Sequence, residues 1–172
     1  MIQTALLLSF PVAMTFAAAN DLFTMKIPNK ISLVIVASFF AAALMTGMDW
    51  QTFGLHLACG AAVLVFGFVL FQFRMLGGGD AKLMAASALW MGVDQVVFFM
   101  AYVTIFGGIL ALAILFYRRY IPASALSAPG WTMPGWAQRL HVQGTGIPYG
   151  IAISAAALLL YPQTSWFQAL AI

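Results

Sequence analysis

Glutamate is absent from this chain, and charge of any kind is scarce: all four acids are aspartates, and only seven residues are Lys or Arg. Charged residues make up 6% of the chain, against about 25% in soluble domains. With 64% of residues hydrophobic, too little polar surface remains to face water. A soluble globular domain and a disordered tail are both excluded. The chain reads as an integral membrane protein. Cysteine is nearly absent as well, and one thiol, Cys59, excludes an internal disulfide and a Cys-based zinc site. No Lys or Arg precedes Lys26, so the cationic start of a secretory signal is missing. The Ala17-Ala18-Ala19 stretch is therefore expected to remain in the first helix.

What is present is a series of uncharged apolar runs. A spanning helix needs about 20 mostly apolar residues, and Met1–Asn20, Ile31–Met48, Gln51–Phe73 and Gln95–Tyr117 supply them. Leu83–Val93 is short and reaches spanning length only by borrowing Met75–Lys82. A sixth run lies within Gly146–Leu170, whereas Ala123–Gln138 is broken by Pro129, Gly130, Pro134 and Gly135 and reads as a loop. The predicted fold is all-α, with six transmembrane helices. Six spans put Lys26, Lys30, Arg74, Lys82, Arg118, Arg119 and Arg139 on one face, which the positive-inside rule makes cytoplasmic. A basic balance suggests nucleic acid in a soluble protein; here it marks topology, and no nucleic-acid partner is expected. Asp49 and Asp94 fall on the other face, and both termini are predicted to face outward.

Two acids remain, Asp21 and Asp80, both at cytoplasmic helix ends where an ionised carboxylate beside apolar segments is costly without a partner or a task. Asp21 precedes Lys26-Ile27-Pro28-Asn29. Pro28 prevents simple helical continuation and biases Ile27 toward extended backbone, so a short fixed turn should precede the second helix, with Asn29 or Ser32 as its cap. Asp80 closes the string Gly77-Gly78-Gly79-Asp80. Successive glycines admit close approach of another backbone, and irregular backbone at membrane depth must be buried or line a wet cavity. Two carboxylates brought together there would share a proton, as acid–base activation of water requires.

Asp21 ahead of Ile27-Pro28-Asn29, then Gly77-Gly78-Gly79-Asp80 with Lys82-Leu83, resembles the type IV prepilin peptidases, polytopic aspartic proteases with a Gly-x-Gly-Asp signature. Ile147-Pro148-Tyr149-Gly150 is similar to the Pro-aromatic-Gly motif entering that family's last helix. The resemblance spans nearly the whole chain and implies a single transmembrane peptidase domain over residues 1–172. It implies removal of a short basic leader from prepilin-like precursors at the cytoplasmic side of the cell (inner) membrane. Asp21 and Asp80 would form the catalytic dyad, with no metal, cofactor or covalent intermediate. Gly77, Gly78, Gly79, Lys82, Pro28, Asn29 and Pro148 would position the loop or the substrate. Longer members carry a cysteine-bearing cytoplasmic insertion associated with N-methylation; it is missing here, so methyltransferase activity is not expected. The compact form resembles the peptidases of Flp (tight-adherence) pilus systems and also archaeal preflagellin peptidases. Implied partners are the precursor, the lipid bilayer and pilus-assembly proteins.

Other residues have plainer readings. His56 and His141 fall on opposite faces and read as packing or interfacial residues. Trp50, Trp131, Trp136 and Trp166 read as interface anchors, and the 120–146 loop as a membrane-surface segment. The alternative function is a small ion or proton-coupled transporter using the same acids. Both acids lie near one face, whereas transporter sites lie typically at the midplane.

Overall fold

The computed structural model describes residues 2–122, 127–128, 131–142 and 146–168. Its helices are α1 (Ile2–Thr24), α2 (Asn29–Thr46), α3 (Trp50–Gln72), α4 (Gly78–Tyr120), α5 (Gly135–His141), α6 (Tyr149–Leu160) and α7 (Ser165–Gln168). A two-residue antiparallel ladder pairs β1 (Ser127–Ala128) with β2 (Trp131–Thr132). Among the described residues, four helices are long and apolar enough to cross a membrane: Thr4–Thr24, Asn29–Thr46, Trp50–Gln72 and Gly78–Tyr120. Tyr149–Gln163 is a shorter apolar helix.

The 43-residue α4 is not one straight rod. Gly92 interrupts it at φ 63°, ψ −173°, a backbone region essentially confined to glycine. Buried His56 of α3 fills the notch, its Nδ1–H donating to the Leu89 carbonyl at 2.5 Å. A side chain at residue 92 would put its Cβ 2.6 Å from the His56 ring. Gly92→Ala therefore combines backbone strain with a ring overlap, and should destabilise the protein by about 3 kcal/mol. A clearly lowered melting temperature in detergent would show it.

Around this break the large aromatic residues form a plug. Phe10 of α1 stacks on Trp90 at 5.0 Å, and Trp90 Nε1–H donates to the Ile35 carbonyl at 3.0 Å. Tyr161 donates its hydroxyl to the Leu7 carbonyl at 2.6 Å. Polar aromatic atoms in an apolar interior need such partners, and together they tie α1, α2, α4 and the end of α6 to one another. Trp166 belongs to this plug rather than to an interface: it is 3% exposed and donates to the Trp90 carbonyl at 2.9 Å. Its isolated position near a predicted boundary hid that partner. Trp50, in contrast, is exposed, and the Trp131 side chain lies outside the described structure.

At the other end the helices close on hydrogen bonds. Met25, at φ 55°, ends α1, and its N–H donates to the Asp21 carbonyl at 2.8 Å. Asn20 reaches over the turn, its Nδ2 donating to the Lys26 carbonyl at 2.6 Å. The cap expected from Asn29 or Ser32 does not form: Pro28 is the N-cap of α2 and no side chain caps it, because the fixed proline backbone already sets the entry. At the opposite end of α2, Asp49 caps α3, accepting from the Gln51 and Thr52 N–H groups at 3.0 Å each. The Thr52 hydroxyl, together with these N–H groups, holds its carboxyl below the usual carboxylate range. The stretch read as loop from 123 to 138 contains the start of α5, since Pro134 and Gly135 open a helix here instead of breaking one. Residues 123–126, 129–130 and 143–145 of the predicted surface segment lie outside the described ones. The short α5 is strapped across the bundle end. Arg118 Nε–H donates to the Leu140 carbonyl at 2.7 Å, and Arg139 donates to the Phe23 carbonyl at the end of α1.

Candidate active site

Asp21 and Asp80 are 59 residues apart in sequence and line one cavity of about 720 Å³. Asp21 sits in the last turn of α1 and is 4% exposed. One of its oxygens, Oδ2, accepts from the Gly150 N–H in the first turn of α6 at 2.7 Å. An anionic oxygen at a helix N-terminus meets both an orphan N–H and the positive end of the helix dipole. Asp80 occupies the third position of α4, where its carboxylate turns back to the Gly77 backbone N–H. That is the acidic half of a capping box, with glycine at the cap.

The three glycines do different work. A Cβ on Gly77 would lie 2.6 Å from Asp80 Oδ2. On Gly79 it would meet Ile27, 3.2 Å from Cβ and 3.3 Å from the carbonyl oxygen. On Gly78 it would touch only the Phe71 ring edge at 3.3 Å. Gly77 and Gly79 thus abut the carboxylate and the Ile27-Pro28 turn, whereas Gly78 faces a ring that can tilt. Gly77→Ala should lower activity by about tenfold or more, because Asp80 must leave its position. Gly78→Ala should stay within about threefold, a contrast visible in parallel turnover assays.

Of the other residues picked from sequence, Lys82 is exposed and donates from Nζ to Asn29 Oδ1 at 3.0 Å, joining the start of α2 to the first turn of α4. Pro28 is exposed at the α2 cap. Pro148 is fully buried at the α6 cap and sets the register that aims the Gly150 N–H at Asp21. Sequence reading did not single out Gly150 itself, although the Pro148-Tyr149-Gly150 motif contained it. Tyr149 also lines the cavity and packs where Gly107 has no side chain. Met25 and Arg74, the two non-glycine residues with left-handed backbone among those described, line the cavity too. No group of three or more His, Cys, Asp or Glu capable of holding a metal comes together among the described residues.

A multi-pass helical membrane protein with two carboxylates facing one cavity carries the donor set of acid–base chemistry on a bound water. Residues 8–112 match the sequence profile of the type IV leader peptidase family, so the chain belongs to that family. The match takes in Asp21, Pro28, Asn29, Gly77–Gly79, Asp80 and Lys82 and stops short of Pro148. No curated protein and no solved structure matches the chain.

Proposed function

We propose that this protein is an aspartic endopeptidase that removes the short basic leader of prepilin-like precursors at the cytoplasmic face of the cell membrane. The observation that carries this reading is the shared cavity of Asp21 and Asp80. One carboxylate takes a proton from water as the water oxygen attacks the scissile carbonyl carbon. The other, protonated, donates to the carbonyl oxygen as charge builds there. Collapse of the tetrahedral intermediate breaks the C–N bond and delivers a proton to the leaving amine. Gly77 and Gly79 leave room for an extended substrate backbone beside the pair. Asn29, Lys82, Pro28 and Pro148 act at a distance, holding the loop and the two helix starts.

We take residues 1–172 as one transmembrane peptidase domain of six spans. Unbroken, α4 would run about 64 Å, twice the roughly 30 Å hydrocarbon core. The Gly92 break gives the fourth and fifth spans, and Tyr149–Gln163 the sixth. Sidedness draws support from contacts that place the cations without counting spans. Lys82 meets Asn29, Arg118 meets Leu140, and Arg139 meets Phe23, so three cations gather at the Asp21 end of the bundle. By the positive-inside rule that end is cytoplasmic and both termini are outside. The compact chain, with a short turn between α1 and α2, favours a Flp-type system and peptidase activity without N-methylation. Pilus-assembly proteins are its expected neighbours.

The test is cleavage of a pilin-type precursor by the protein in liposomes, with chelator present throughout. Leader removal at a single site, unaffected by chelator, is the expected result. Failure with several leader-bearing precursors, or ion-dependent flux without cleavage, overturns the reading.

A further inference from the structure

A second cavity, of about 510 Å³, lies between α2 and α3 with α4 as its floor. The two walls are apolar, with Leu33 on α2 and Leu64 on α3, and the bottom is small: Gly60 and Ala61 on α3 and Ala85 and Ala86 on α4. On α2 the groove runs from Asn29 to Phe40, a length of about 16 Å or three helical turns. Small residues let a backbone approach closely in lipid, where helices associate by packing rather than by hydrophobic exclusion.

Two observations indicate what fills it. The groove is polar only at the end formed by Asn29, Ser32 and Lys82, and Ser32 is 8% exposed with an Oγ that has no hydrogen-bond partner. A buried hydroxyl without a partner is costly unless a ligand supplies one. That end is also continuous with the carboxylates. A small cavity of about 220 Å³ shares Leu64 and Lys82 with the groove and Phe71 with the Asp21–Asp80 cavity. Lys82 is two residues from Asp80, so the polar end lies within one helical turn of the site.

We propose that the groove between α2 and α3 receives the apolar helix of the precursor, with Ser32 hydrogen-bonding its first turn. The chain then passes Phe71 and Gly78 in extended form to reach Asp21 and Asp80. This rests on the leader-peptidase reading of the site. An acyl chain would need neither the small-residue floor nor the path to the carboxylates, and a helix with a cleavable extension needs both.

The experiment uses the Asp80→Asn protein in liposomes, which should hold uncleaved precursor, with a photo-crosslinking amino acid at exposed Leu33, Leu64 or, outside the groove, Leu112. Adducts with the precursor are expected from Leu33 and Leu64 and not from Leu112. In the cleaving protein, Ala61→Phe should raise KM for the precursor about tenfold with kcat nearly unchanged, the signature of lost uniform binding. Groove adducts with lipid alone, or precursor adducts at Leu112 and none in the groove, overturn the proposal while leaving the peptidase reading intact. Absence of cleavage by the wild-type protein brings down the peptidase reading, and this proposal with it.

Discussion

Asp21→Asn and Asp80→Asn are each expected to lower kcat by about a thousandfold or more in a liposome cleavage assay, with folding preserved. Acid–base participation by one positioned side chain contributes typically about 10²–10⁴-fold, and the proposed mechanism gives each carboxylate a separate half of the proton transfer. Asparagine keeps the size and shape of the side chain. Its amide oxygen still accepts from the Gly150 N–H, now 2.7 Å from Asp21 Oδ2, so the α1–α6 contact survives the change. The amide can neither take the proton of water nor donate one as an acid. With the two carboxylates acting as a unit in that mechanism, the double variant should be barely worse than either single one. Asp49→Asn and Asp94→Asn are the controls. Asp49 only caps α3, and neither acid lines the cavity, so both variants should retain cleavage. Near-normal turnover by either Asp21→Asn or Asp80→Asn, in protein with an unchanged melting temperature, would sink the dyad.

That these two acids stand out in the sequence is a consequence of scarcity. In a chain with four acids, a helix-end carboxylate beside apolar runs stands out by its cost, and Gly77–Gly79 marks where backbone must come close. The long apolar helices were legible for the same reason, since charge gaps delimit them. What stayed hidden depends on contacts across long stretches of chain. The Gly150 N–H meets Asp21 from 129 residues away, and nothing local to either residue announces it. Gly92 reads as one more glycine in an apolar run, until His56 is seen to occupy the space a side chain would need. Trp166 looked like an anchor because its partner, the Trp90 carbonyl, is 76 residues earlier. Helix ends were blurred where capping residues competed: Asn29 could have capped α2, but Pro28 fixes the backbone and frees the Asn29 amide oxygen for Lys82.

The same long-range contact makes Gly150→Ala the most damaging single-methyl change expected near the site. A Cβ at residue 150 would lie 2.8 Å from Asp21 Oδ2, 3.0 Å from Asp21 Cβ and 2.8 Å from Ile27 Cδ1. The Ile27 methyl is the end of a flexible chain and can turn away. Asp21 Cβ cannot, because it is fixed to the backbone of α1. Relief must come from moving α6 off α1 or from swinging the carboxylate, and either lengthens the hydrogen bond that aims Asp21 into the cavity. Displacing a reacting group by about 1 Å can cost roughly 10² in rate, so kcat should fall about a hundredfold. KM should change little, since the groove proposed for the substrate helix lies on the far side of α4's first turn, between α2 and α3. Gly108→Ala is the matched control: a Cβ there meets nothing within 4 Å, and its activity should equal that of the wild type. If Gly150→Ala cleaves within about threefold of the wild-type rate, the Gly150 N–H does not position Asp21 for catalysis.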